Sequence, residues 1–205
     1  MELLEIAKEV LVNQELESTH IYKIIKTGSQ LFRDNPHDLD FIVLCDEIPN
    51  GRIRKHYKHD NETYDMIFLT LDYLEKAYKF EVYDGIQLFN YLLVKPLVKT
   101  VYDTNEVEFP YFNMFDNGTK EKYIEVLYNY LTNTIHRAVF HLELMNKGFA
   151  YLYTAYMMYE LETEDLPQDI KDNINKIYNK LDDYVELNRY VEAKIIEEYN
   201  NLNNY

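Results

Sequence analysis

The chain has one cysteine, five glycines, five prolines and no tryptophan in 205 residues. A single thiol excludes an internal disulfide framework. Cys45 closes an apolar run, which reads as a buried structural thiol rather than a nucleophile. So few glycines and prolines leave little material for elaborate loops and point to long regular elements. Positive charge is scarce as well: 21 Lys and Arg stand against 36 Asp and Glu, a net charge of −15. Phosphate backbones and anionic lipid surfaces both demand local positive charge. A general nucleic-acid binder and a membrane-surface protein are therefore disfavoured. The opening MELLEIAKEV carries acids where a secretory leader needs basic residues. No apolar run approaches the length of a membrane span. The expectation is a soluble protein of the cytoplasm.

Hydrophobic residues make up 47% of the chain, enough to bury a core without disulfides or structural metals. In the first half helical and strand periodicities alternate. Leu3, Leu4, Ile6, Ala7, Val10 and Leu11 share one helical face between about 2 and 14. HIYKIIKTGS is a strand that ends in a Gly-Ser turn, DLDFIVLC is a second strand and TYDMIFLT a third. Between the last two, RIRKHYKHDN is polar and charged and reads as a hairpin or loop. Helical spacing returns from Asp72 to Leu93, with Gly85 as a potential break. PLVKTVYD reads as a fourth strand entered through Pro96.

From Thr119 onward helix signals dominate. Thr119 suits an N-cap. Ile124, Leu127, Leu131, Ile135, Ala138 and Leu142 then trace one stripe. Further helices are expected over 149–161, after Pro167 and over 186–199. The fold class is therefore α+β: a mixed sheet with helices over 1–112, followed by an all-helical bundle over 117–205.

The residues that carry chemistry lie between Lys26 and Leu69. Gly28-Ser29 ends the first strand, and eight residues separate Ser29 from Asp38-Leu39-Asp40 at the start of the next. Alternation along a strand puts Asp38 and Asp40 on one face and Leu39 on the other, toward the core. Two carboxylates so close repel each other unless a cation lies between them, and hard oxygen ligands suit Mg²⁺. Asp65 begins the apolar run of the third strand and can join the pair if the two strands are neighbours. Glu62 is the alternative third carboxylate. Three carboxylates can hold two divalent ions, Mg²⁺ or Mn²⁺.

TGS, then DLDFIVL, then YDMIFL resembles the nucleotidyltransferase superfamily that includes DNA polymerase β. The resemblance covers about residues 1–105, and the helical half after it is similar to minimal and aminoglycoside-type members. It implies transfer of a nucleoside monophosphate from an NTP to a hydroxyl, with pyrophosphate leaving. Gly28 and Ser29 would hold phosphate, and Asp38 and Asp40 would bind metal. Asp65 would bind metal and serve as general base. Many members carry a second glycine soon after the Gly-Ser turn, where this chain reads Gln30-Leu31-Phe32-Arg33. Arg33 is either a bidentate triphosphate contact or a solvated loop arginine.

The partners this reading allows are an NTP donor, a small-molecule or protein acceptor, and a second copy of the chain in a homodimer. Nucleic acid and membrane are disfavoured on charge. The competing reading is a catalytically idle nucleotidyltransferase-fold module that acts by binding a nucleotide or a protein. The basic stretch from Arg52 to His59 reads as a solvated hairpin rather than a nucleotide grip. His37 reads as a turn residue. Arg137 and His141 read as helix surface rather than a nuclease pair.

Overall fold

The computed structural model describes residues 3–31, 36, 38–82, 98–112, 119–138, 150, 153–154, 156–157, 167–179 and 185–204. Within these, the side chains of residues 29, 119–120, 133–138, 178–179 and 185–188 are outside the description. The chain divides into two compact units, Met1–Val82 with Tyr91–Tyr111, and Tyr83–Asn90 with Phe112–Tyr205.

The first unit is a five-stranded mixed sheet. Helix α1 (Leu3–Val12) leads into β1 (Ile21–Thr27), β2 (Leu39–Cys45), β3 (Arg52–His59) and β4 (Glu62–Thr70). Helix α2 (Leu71–Tyr78) and β5 (Lys99–Asp103) follow. The spatial order is β3-β4-β2-β1-β5. Strands β2 and β4 run parallel; the other neighbours are antiparallel. Phe41–Cys45 and Tyr64–Leu69 are continuously buried, as expected of central strands covered on both faces. One of those faces packs on α1, where Ile6, Ala7, Val10 and Leu11 meet Ile24, Phe41, Val43, Met66 and Phe68. Cys45 lies in the same layer at 1% exposure, and burial pushes its thiol up to about 12. A thiol held protonated in this way is a core residue, not a nucleophile.

The basic stretch is a strand. Asp60 and Asn61 take φ values of 48° and 67°, the two left-handed residues that a tight type I′ hairpin requires. The turn sets His59 against Glu62 and His56 against Asp65. Exposure alternates along β3, and its Arg and Lys side chains guard an outer strand against pairing with another chain.

Helix α2 is capped by Thr70, whose hydroxyl accepts from Tyr73 N at 3.3 Å. It stops well short of Leu93. Phe80 takes φ 58°, and the Phe80 and Glu81 amides donate to Ala77 O at 3.0 Å and Lys76 O at 2.9 Å. Those bonds close the last turn, so continuous periodicity did not mean a continuous helix. The expected break at Gly85 and the remainder to Leu93 lie outside the described residues. Helix α1 ends in the same way. Glu15 has φ 59°, with Glu15 N donating to Val12 O and Leu16 N to Leu11 O, both at 3.0 Å. Glu15 is exposed, so Glu15→Gly removes backbone strain and loses no buried contact. It is expected to stabilise the chain by roughly 0.5–1 kcal/mol. Chemical denaturation checks this, and an unchanged or lower midpoint would contradict the strain.

In the second unit the described elements are helical: α3 (Thr119–Ala138), α4 (Gln168–Asn179) and α5 (Val185–Asn203). Ala150, Tyr153, Thr154, Tyr156 and Met157 are helical too. Ile124, Leu127, Leu131, Ile174 and Ile177 are buried, as the stripes required. Tyr128 of α3 and Tyr199 of α5 stack with ring centroids 3.9 Å apart. No helix among the described residues is long and apolar enough to cross a membrane.

Candidate functional site

Register brings the acids together. Thr27 pairs with Asp40 across β1–β2, Asp40 with Asp65 across β2–β4, and Asp65 with His56 across β4–β3. Paired residues share a face, so Asp40, Asp65 and His56 stand in one row on the side away from α1. Leu39 turns to the opposite side and packs against the α1 core, as alternation predicts. Asp38, in the bend just before β2, completes the group. Ligand oxygens of Asp38, Asp40 and Asp65 all lie within 4.8 Å of one another. Asp38 and Asp40 are half-buried, and Asp65 is 3% exposed. Glu62, the alternative third acid, is exposed and accepts from the Tyr64 hydroxyl at 2.8 Å. It is not one of the three.

The Gly28 turn is part of the same construction. Gly28 has φ +73°, and a Cβ there would run into the Asp40 carboxylate, 2.7 Å from Cγ and 3.0 Å from Cβ. The missing side chain makes the room in which Asp40 sits. A single 3₁₀ turn, Ser29–Leu31, follows. The Gln30 side chain folds back over the turn. Its Nε2 donates to Thr27 O at 2.9 Å and also to Asp40 O. Its Oε1 is buried with no hydrogen-bond partner. The side chain of Ser29, and Arg33 and His37 entirely, lie outside the described residues, as does His141.

Sequence reasoning missed Arg54. Its Nε lies 3.0 Å from Asp65 Oδ1 and 3.2 Å from Oδ2, and its Nη2 also donates to Oδ2. His56 Nδ1 is 3.8 Å from Oδ1. A carboxylate this buried needs a paired, hydrogen-bonded cation, and the fork of an arginine supplies one in two-point geometry. The alternation of Arg52, Arg54 and His56 with Ile53, Lys55 and Tyr57 was the available clue. It becomes legible once the Asp60-Asn61 turn fixes the register.

The donor set suits a divalent cation. It offers three carboxylates, all hard oxygen ligands of the kind Mg²⁺ and Ca²⁺ take. Gln30 Oε1 is a further acceptor, buried without a partner, on a side chain whose Nε2 donates to the Asp40 carbonyl.

No family model matches the chain, and no curated protein does. Among solved structures it is similar to a nucleotidyltransferase-like protein from Exiguobacterium sibiricum 255-15. The two are 9% identical, and the match covers 97% of this chain and 78% of that one with a TM-score of 0.31.

Proposed function

We propose that the protein is a metal-dependent nucleotidyltransferase, moving a nucleoside monophosphate from an NTP to a hydroxyl acceptor with release of pyrophosphate. The observation that carries the reading is the row of three acids around a glycine turn. Asp38, Asp40 and Asp65 have ligand oxygens within 4.8 Å of one another, and Gly28 is shaped around Asp40. Like charges held so close in a folded chain are costly, and a divalent cation among them would make the arrangement favourable.

Asp38, Asp40 and Asp65 would hold Mg²⁺ or Mn²⁺. When bound, such an ion supplies Lewis-acid neutralisation of the triphosphate and the leaving pyrophosphate. The chain's own part is positional. Gly28 fixes the Asp40 carboxylate, and Gln30 ties the Thr27 and Asp40 carbonyls to each other. Both oxygens of Asp65 already accept from Arg54. Either role of Asp65, metal ligand or general base for the acceptor, thus requires that pair to part. The net charge of −15 favours a cationic small molecule or a protein hydroxyl as acceptor.

The test is calorimetric titration of each NTP with and without Mg²⁺, on wild type and on Asp38→Ala/Asp40→Ala. The expected result is Mg²⁺-dependent binding of at least one NTP by wild type and none by the variant. Equal binding by both would replace the enzyme with the idle nucleotide-binding module.

A further inference from the structure

Asp65 is the most buried of the three acids, at 3% exposure, and it already has a cation. We propose that Arg54 is a positioning residue that a divalent ion must displace from Asp65, so that Arg54 sets the metal affinity of the acid cluster. This rests on the cluster being a divalent-cation site.

The guanidinium engages both Asp65 oxygens, Nε at 3.0 and 3.2 Å and Nη2 on Oδ2. The His56 ring stands 3.8 Å from Oδ1. Lone pairs committed to N–H donors are less available to a metal. A unit positive charge against the same carboxylate also repels a doubly charged ion a few ångströms away. Arg54 nevertheless fills a need, because without it the metal-free chain would bury a carboxylate with no strong partner. The Arg54 side chain is 36% exposed, so its head can move to water while Asp65 cannot. Displacement therefore runs one way: the arginine leaves and the acid stays.

The probe is Mn²⁺ without nucleotide. It is followed by titration calorimetry and by the Mn²⁺-induced rise in unfolding temperature, on wild type, Arg54→Gln, Arg54→Lys and Asp65→Asn. Arg54→Gln is expected to melt lower without metal, to bind Mn²⁺ about tenfold tighter or more, and to gain more in melting temperature from the ion than wild type gains. Arg54→Lys, which keeps the charge but not the fork, should fall between the two. Asp65→Asn should bind more weakly than wild type. A residue that only holds Asp65 in shape predicts the opposite sign. If wild type binds Mn²⁺ and the Arg54 variants bind it equally or more weakly, the inference fails and the metal site stands. If Arg54→Gln does not fold, Arg54→Lys decides by the same comparison. If no form binds Mn²⁺, the divalent-site reading fails and takes the inference with it.

Discussion

Gly28→Ala is expected to abolish Mg²⁺-dependent nucleotide binding, whereas Gly51→Ala is expected to leave it intact. Both glycines have left-handed backbones, at φ +73° and +71°. Each substitution therefore incurs about 1–2 kcal/mol of backbone strain. Their surroundings differ. At Gly51 the nearest atoms to a new Cβ belong to the Thr70 and Tyr73 side chains at 3.1 Å, which can yield by a few tenths of an ångström. At Gly28 the nearest atoms are the Asp40 carboxylate itself. That carboxylate must rotate away or the turn must open, adding an overpacking cost of about 1–3 kcal/mol. Either movement takes Asp40 out of reach of Asp38 and Asp65. Denaturant melts should show both variants destabilised, Gly28→Ala more so, while calorimetry separates them on binding. Retained binding in Gly28→Ala would mean that Asp40 is not positioned by the turn.

The second large effect has opposite signs in two measurements. Asp40→Asn keeps the shape of the side chain and its fit over Gly28 but removes one of three negative charges within 4.8 Å of one another. In metal-free buffer with a chelator, the variant is expected to be more stable than wild type by about 1–3 kcal/mol. That range follows from a unit-charge repulsion at this distance under an effective dielectric constant of about 20, partly offset by Arg54. NTP binding in Mg²⁺ should fall at least about a hundredfold, because an amide is a poor ligand for a hard cation. Stability and binding moving apart is the mark of groups kept close for a ligand rather than for the fold. If Asp40→Asn proves less stable than wild type without metal, the acids are structural and the metal reading loses its main support.

Much of the site could be read along the chain because it depends on local alternation. Alternation from Leu39 onward turned Leu39 to the core and Asp40 to the other face, although the strand begins at Leu39 and Asp38 stands in the bend before it. Asp65 required a tertiary fact, the parallel β2–β4 pairing in register, which sequence could only pose as a condition. Arg54 was not read at all. A basic, polar stretch resembles a solvated hairpin by composition, and the buried partner that changes its meaning lies eleven residues on, across the turn. Gln30 was visible only as a departure from the superfamily pattern. Its bridge between two carbonyls depends on how Gly28 bends the chain. Helix α2 was read too long because periodicity reports which side chains are apolar and says nothing about whether Phe80 will adopt a left-handed backbone.

The strands that carry the acids carry the α1-facing core on their alternate residues: Phe41 and Val43 interleave with β2's acid-bearing face, and Tyr64, Met66 and Phe68 with that of β4. Inserting or deleting one residue within β2 would turn every following side chain over, driving a carboxylate into the apolar layer as it took the acids apart. The Asp-x-Asp spacing is thus guarded by solubility as well as by chemistry. The spacing would therefore persist for as long as the chain had to fold, leaving only the carboxyl groups themselves free to change.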